Sequence, residues 1–316
     1  MVLKFLTTFL FLVTLAHTAK ASQSFLDLGF IVPPGYFVLG VEHQQSSQKL
    51  SPSTNVVLEA NSSVTYGYLQ FGLLNHVDIK VSAGQGKADQ TLKSTSILTG
   101  ETTVVDSAEA RGSVDPTVSM GIRWLGSGEE NSFNVITHLG YSPRSGDKTF
   151  ATDDEDANML SGRSRYMGRL DLNLKFTQGD WLLSGEYIMN NKGNATNSDG
   201  TEPVELGAYS TTTFELRYRE NYWRALYLDL FGGVSQVSES QDTDLDTSVT
   251  TTTAAYSQPF MGVGLGFLIA ERFKIEGQLR AGSIGQKIKT TTSTGTSTEW
   301  ENQKNQSVYI GASFIF

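Results

Sequence analysis

Apolar residues recur at every second position in twelve separate stretches of this chain, and the connections between the stretches alternate between short and long. Val77, Ile79, Val81 and Ala83 alternate with Asp78, Lys80 and Ser82, and Leu170, Leu172, Leu174 and Phe176 alternate with Asp171, Asn173 and Lys175. At the end of the chain Val308, Ile310, Ala312, Phe314 and Phe316 share one face, and Ser307, Tyr309, Gly311, Ser313 and Ile315 share the other. Successive side chains of a strand point to opposite sides, so this period belongs to strands with one apolar face. A helix would need a period of about 3.6 residues.

The predicted strands lie at 35–48, 62–74, 77–83, 114–125, 132–142, 163–176, 181–191, 208–219, 223–237, 257–269, 273–287 and 304–316. Short turns occur at Asn75-His76, Gly126 to Asn131, Thr177 to Asp180, Glu220 to Tyr222 and Ala270 to Arg272. Polar loops are expected at 49–61, 88–112, 143–162, 192–207, 238–256 and 288–303. A soluble sandwich has no reason to gather its long connections at one end, whereas outer-membrane barrels have short periplasmic turns and long external loops. Strands of about 10 to 15 residues suit a tilted crossing of about 9–11 and exceed the globular norm of about 5–6. The fold class is therefore all-β, a transmembrane antiparallel up-and-down β-barrel of about twelve strands. Closure satisfies every backbone group in lipid. An even strand number places both termini in the periplasm, in the outer membrane of a Gram-negative-type bacterium.

Residues 1–21 read as a secretory signal peptide: Lys4 is basic, Phe5 to Ala16 is apolar, and Ala19-Lys20-Ala21 is a small-x-small cleavage site. The barrel then spans 22–316, and loss of Lys4 and Lys20 takes the net charge from −9 to −11. The apolar run is too short for a spanning helix, which needs about 20 residues. The chain has no cysteine, which removes disulfides, thiolate metal sites and cysteine nucleophiles. A mean hydropathy of −0.21 fits a barrel, because only alternate strand residues meet lipid. The acidic balance argues against nucleic acid as a partner, since phosphate binding needs a basic face.

If the leucine-rich face meets lipid, the opposite face lines the lumen. Its candidate residues are Arg123, His138, Arg169, Asp171, Lys175, Glu186, Glu215, Arg217, Asp229, Lys274, Glu276 and Arg280, with Glu42, Asp78, Lys80, Asn173, Asn190, Arg219 and Gln278 beside them. Charges away from bulk water need partners or solvation. The spacings Arg169-x-Asp171, Glu215-x-Arg217 and Lys274-x-Glu276 put opposite charges on one face. Such ladders either brace the interior or set the selectivity of a narrow polar pathway.

No cofactor motif is present. Asp242-x-Asp244-x-Asp246 lacks the glycine and the glutamate of a calcium loop, with Thr247 and Thr253 in their places. The run Asp153-Asp154-Glu155-Asp156 reads as a solvated loop, the alternative being a loop that binds divalent cations or meets the lipopolysaccharide layer. A nucleophilic serine needs a base within reach. Downstream of the leader only His43, His76 and His138 are available, and none stands in a His-x-Ser-Asn-Gly pattern. An enzyme is not expected.

A strand that ends the chain on Phe316 resembles the closing strand of outer-membrane barrels, whose terminal aromatic is read by the barrel-assembly machinery. Tyr68 to Ile79, Asp115-Pro116-Thr117-Val118 and Leu139 to Asp147 are similar to motifs of the meta-pathway phenol-degradation family of outer-membrane proteins. The resemblance implies kinship with FadL-type importers of fatty acids and aromatic hydrocarbons. The chain departs from those in having fewer strands, no Asn-Pro-Ala motif and only a short lead before its first strand, so no plug mechanism and no ligand residue carries over. The leading expectation is a monomeric channel for passive uptake of small compounds, hydrophobic or aromatic ones included, with outer-membrane lipid and lipopolysaccharide around it. The rival is a structural or adhesin-like barrel whose lumen is closed by its charge ladders.

Overall fold

The computed structural model describes residues 30–316 apart from 54, 97–98, 100, 128–131, 151–156, 177–178, 198–203 and 223–224. The signal segment 1–21 and the acidic run 153–156 lie outside the described residues. Among the described residues no helix is long and apolar enough to cross a membrane.

Twelve long strands follow in chain order: β1 (Phe37–Ser53), β2 (Val56–Leu74), β3 (Val77–Thr95), β4 (Thr102–Leu125), β5 (Ser132–Ser142) and β6 (Arg163–Lys175), then β7 (Gly179–Asn197), β8 (Tyr209–Tyr222), β9 (Leu226–Val237), β10 (Tyr256–Ile269), β11 (Phe273–Gly282) and β12 (Ser297–Ile315). Each pairs antiparallel with the next, and β12 pairs with β1, so the sheet closes into a ring. The closing register runs from Val38 opposite Ile315 to Ser51 opposite Glu301. Phe316 completes it by donating its N–H to Phe37 O at 2.9 Å, and the two rings stack with centroids 4.9 Å apart. The turn at Ala270 and Glu271 carries two residues at positive φ, +51° and +60°, the geometry that continues the twist of a tight hairpin.

Leu39, Leu69, Leu170, Leu183, Leu216, Leu230, Val263 and Leu279 are all exposed on the outer face. Aromatic residues bound this apolar belt: on β6 the exposed Tyr166 stands ten positions from the exposed Phe176, the length of one tilted crossing of about 9–11 residues. The opposite face is concave. Tyr227 of β9 donates its hydroxyl to Glu276 of β11 at 2.6 Å although β10 runs between them. This contact passes over β10 because three successive inward positions of that strand, between Phe260 and Leu268, are Gly262, Gly264 and Gly266; a Cβ on Gly266 would lie 2.2 Å from the Tyr227 ring.

Two expected loops are largely strand. Segment 49–61 narrows to a connection between Ser53 and Val56, and most of 88–112 belongs to β3 and β4, which pair from Val77 opposite Ile122 to Thr95 opposite Thr102. These extensions lie beyond the belt, where water touches both faces. Val104 and its neighbour Val105, which stands at a register shift against β3, are 61% and 60% exposed. Without a lipid-facing side there is no apolar alternation for the sequence to display. Polar pairs join the strands instead: Asn61 to Asp89 at 2.8 Å, Lys93 to Glu59 at 2.6 Å, and Thr95 with Thr102 at 2.9 Å. The remaining connections carry short strands at Lys148–Phe150, Val204–Leu206, Ser240–Asp244, Thr250–Thr253 and Lys287–Thr292. The strand expected at 273–287 stops at Gly282, and the last strand starts seven residues earlier than 304.

Ahead of β1, the lead at 30–36 turns into the ring. Ile31 and Val32 are buried, and Val32 donates its N–H to Asp78 Oδ2 at 2.9 Å. Gly72 lets Pro33 and Val32 approach, since a Cβ there would sit 2.1 Å from Pro33 O. Val32 packs with Val38, Tyr68, Tyr227, Leu268 and Ile315 in one apolar cluster. This short lead, too brief in sequence to suggest an internal segment, therefore fills interior space at the end of the barrel where β1 begins and β12 ends.

Candidate functional site

Strand parity delivers the charged residues to the interior. Asp171, Asn173 and Lys175 are buried in alternation with Leu170, Leu174 and Phe176, which are exposed, and Asp229 is buried between the exposed Leu228 and Leu230. Burial of a charge is tolerable only with partners, and most of these side chains form three clusters.

The first cluster is built on Asp171. Arg169 Nε donates to Asp171 Oδ1 at 2.6 Å and its Nη2 donates to Ser184 Oγ at 3.1 Å, while His138 Nε2 lies 3.4 Å from Asp171 Oδ2. The second is built on Asp229, which is 0% exposed. Arg219 grips it with Nε to Oδ1 at 2.6 Å and Nη2 to Oδ2 at 2.7 Å. Arg217 adds Nη1 to Oδ2 at 3.1 Å and donates Nε to Glu215 at 2.9 Å. The two-point Arg219 grip is the stronger geometry for a guanidinium and a carboxylate. The third centres on Glu276, 3.1 Å from Lys274 Nζ and accepting the hydroxyls of Tyr227 at 2.6 Å and Tyr309 at 3.3 Å. All three spacings singled out in the sequence thus form direct ion pairs. Lys80 also pairs with Glu42 at 2.8 Å.

Arg123 and Lys175 are buried, and Arg123 Nη1 donates to Ser127 O at 3.4 Å. Glu186 and Arg280 stand outside the clusters. Among the described residues Arg280 meets Ser235 Oγ, at 3.4 Å, and the Phe260 ring, 3.5 Å from its guanidinium carbon.

Aromatic partners are the half of the site that the sequence reading lacks. Arg217 lies 4.4 Å over Phe231, Arg219 lies 3.5 Å over Tyr227, and Lys80 lies 3.9 Å over Tyr68. A cation over a ring face gains about 0.5–2 kcal/mol, more when desolvated. Parity carries the signal: Tyr227 and Phe231 flank Asp229 at two-residue spacing and therefore share its side of the strand.

Residues considered for other chemistry have local partners. His43 meets the hydroxyls of Thr65 at 2.9 Å and Ser63 at 3.4 Å. Asp242 accepts from Arg163 Nη2 at 3.0 Å and from Gly207 N at 2.9 Å. Asp244 accepts the N–H groups of Asp246 and Thr247, both at 2.9 Å, which holds its carboxyl below the usual aspartate range.

No family model matches this chain, and no curated protein sequence matches it. Among solved structures it is similar to an outer membrane channel from Pseudomonas putida F1, at 12% identity and a TM-score of 0.56, over 95% of this chain and 100% of the other. The transport unit of the autotransporter AIDA-I from Escherichia coli aligns over 93% and 94% at 12% identity, with a TM-score of 0.46. A mutant of the monoaromatic hydrocarbon channel TodX aligns over 88% and 90% at 10% identity, with a TM-score of 0.41. At such identities likeness is of fold, and only the first score is high enough to support that. The chain has the fold of outer-membrane β-barrels, a twelve-stranded ring with an apolar belt outside and charged clusters within.

Proposed function

We propose that this protein is an outer-membrane channel for the passive uptake of small compounds, hydrophobic or aromatic ones among them. The observation that carries the reading is the charged face inside a closed twelve-stranded ring. Eight strands already leave an interior just wide enough for side chains to fill, and here the ring is larger and β10 contributes only glycine at three inward positions. The cluster members that open onto the lumen, Arg169 and His138 with side chains 37% and 35% exposed, are stabilised by water, and a watered lumen is a path for solutes. The guanidiniums stacked on Phe231, Tyr227 and Phe260 offer flat surfaces on which aromatic solutes can also stack.

In this reading the chain is exported by its leader and the barrel-assembly machinery recognises the β12 strand ending at Phe316. It acts without a cofactor and without catalysis, as a monomer, with both termini periplasmic and the extended hairpins among lipopolysaccharide. The buried lead around Val32 narrows the periplasmic end, so solutes leave past it. Purified protein in planar bilayers tests the reading: stepwise conductance, with flux of small solutes into liposomes, is expected. A barrel that inserts but passes neither current nor solute favours the closed, structural alternative. Uptake of aromatic compounds by cells is expected to slow when the protein is deleted, and unchanged uptake removes that cargo class.

A further inference from the structure

Glu186 and Arg280 differ from the other inward charges. Among the described residues Glu186 makes no hydrogen bond and no ion pair, and Arg280 has no carboxylate partner and only the Ser235 hydroxyl and the Phe260 face. Yet the two share one stretch of interior wall. Glu186 of β7 stands opposite Thr213 of β8, and Thr213 stands opposite Ser235 of β9. Thr213 and Ser235 join their hydroxyls at 3.0 Å, and Ser235 Oγ receives Arg280 Nη2. Arg169 stands opposite Glu186 on β6 but is bonded to Asp171 and Ser184, and Glu215, the next inward carboxylate on β8, is held by Arg217 at 2.9 Å. Glu186 is thus an anion without an ion pair among the described residues, on the same stretch of wall as a cation without one. Two strand spacings, about 10 Å, separate the Glu186 and Ser235 backbones, and a hydroxyl-lined floor lies between.

We propose that Arg280 and Glu186 form a dipolar subsite in the channel wall that takes small zwitterionic solutes, the carboxylate on Arg280 and the ammonium on Glu186. The chemistry favours a zwitterion over either single charge. A lone carboxylate on Arg280 meets the repulsion of Glu186, and a lone ammonium at Glu186 meets that of Arg280 and Arg169, whereas a zwitterion satisfies both ends. The Phe260 ring fixes the guanidinium plane, and the Thr213 and Ser235 hydroxyls present polar atoms to the solute's midsection. The inference rests on the channel reading, of which it names the substrate class.

The test uses the full-length folded barrel in detergent, titrated calorimetrically with 4-(aminomethyl)benzoate, benzoate and benzylamine. The zwitterion is expected to bind at least about tenfold more tightly than either single-charge analogue, since each charge-assisted contact is matched only there. Arg280→Gln and Glu186→Gln are each expected to erase that preference, with folding checked by migration on an unheated gel. Equal binding of the three probes, or a preference that survives both substitutions, overturns the subsite. If neither variant folds, the wild-type preference decides alone: its presence supports the proposal and its absence overturns it. Conductance separates the two levels. Current without zwitterion preference removes the subsite and leaves the channel, and zwitterion binding without current removes the channel and leaves the site.

Discussion

Strand β4 crosses two environments, and its two halves obey different rules. From Val118 to Trp124 the chain alternates, with Val118 and Trp124 exposed and Gly121 and Arg123 buried. From Thr102 to Ala108 every residue is exposed. Both halves pair with β3 through one antiparallel ladder, interrupted by register shifts opposite Ser82/Gly84 and Leu92/Lys93, so backbone pairing is common to them. What differs is the solvent. Lipid on one side forces an apolar face and leaves the charged face inside, while water on both sides imposes no pattern. Side-chain identity is therefore tightly constrained in the belt and loosely constrained in the extension, although both are the same strand.

The largest expected effect lies on the inner side of the belt. Asp229 is shared by Arg217 and Arg219, and Asp229→Ala leaves two buried guanidiniums without it, a loss of about 3–5 kcal/mol for a broken buried pair. Denaturant unfolding of the refolded barrel measures it, and a change below about 1 kcal/mol would show that the interior is wet enough to solvate the arginines. Next comes the outer side. Leu228→Arg is expected to cost about 2–4 kcal/mol near the bilayer midplane, whereas Val105→Arg in the extension stays within about 0.5 kcal/mol, as for ordinary surface positions. Equal costs at the two sites would erase the distinction between the regions.

The smallest effect is a pH dependence confined to the extension. Hydrogen bonding and charge from Lys93, with help from Lys49, hold Glu59 below the usual glutamate range. A carboxyl depressed in the fold contributes stability above its ordinary value and loses it as pH falls through the folded value. For an exposed pair this is worth about 0.2–1 kcal/mol. Amide exchange, corrected for intrinsic rates, is expected to quicken at the tips of β2 and β3 as pH drops below about 4 while the belt stays protected. Uniform quickening along both strands would contradict the assignment.

The same contrast explains what the sequence revealed. The belt announced itself, because Leu170, Leu172 and Leu174 against Asp171 and Asn173 leave no other period. The ring of twelve, its apolar outer face and the three ion-paired spacings followed from that pattern. The extensions of β2, β3 and β4 stayed hidden, since residues such as Thr102, Val104 and Val105 form a ladder without a buried side. The interior position of Ile31 and Val32 was hidden for another reason: a few apolar residues before Pro33-Pro34 have no period at all, and only the packing against Tyr68 and Tyr227 places them. At the site, parity identified the charges but not their stacked aromatic partners, and it gave no hint that Glu186 and Arg280 would be left without ion pairs among the described residues.

Since the chain has no cysteine, one spin label can be placed at each position of β4 in turn, from Thr102 to Leu125, in the protein reconstituted into bilayers. Collision with oxygen, which concentrates in lipid, and with a water-soluble nickel complex then reports the surroundings of each side chain. Oxygen accessibility is expected with a period of two from Val118 to Trp124, peaking at Val118, Met120, Ile122 and Trp124, with Leu125 also high beside the register shift. Nickel accessibility is expected to be uniformly high from Thr102 to Ala108. Alternation along the whole strand, or peaks at Ser119, Gly121 and Arg123 instead, would contradict the account.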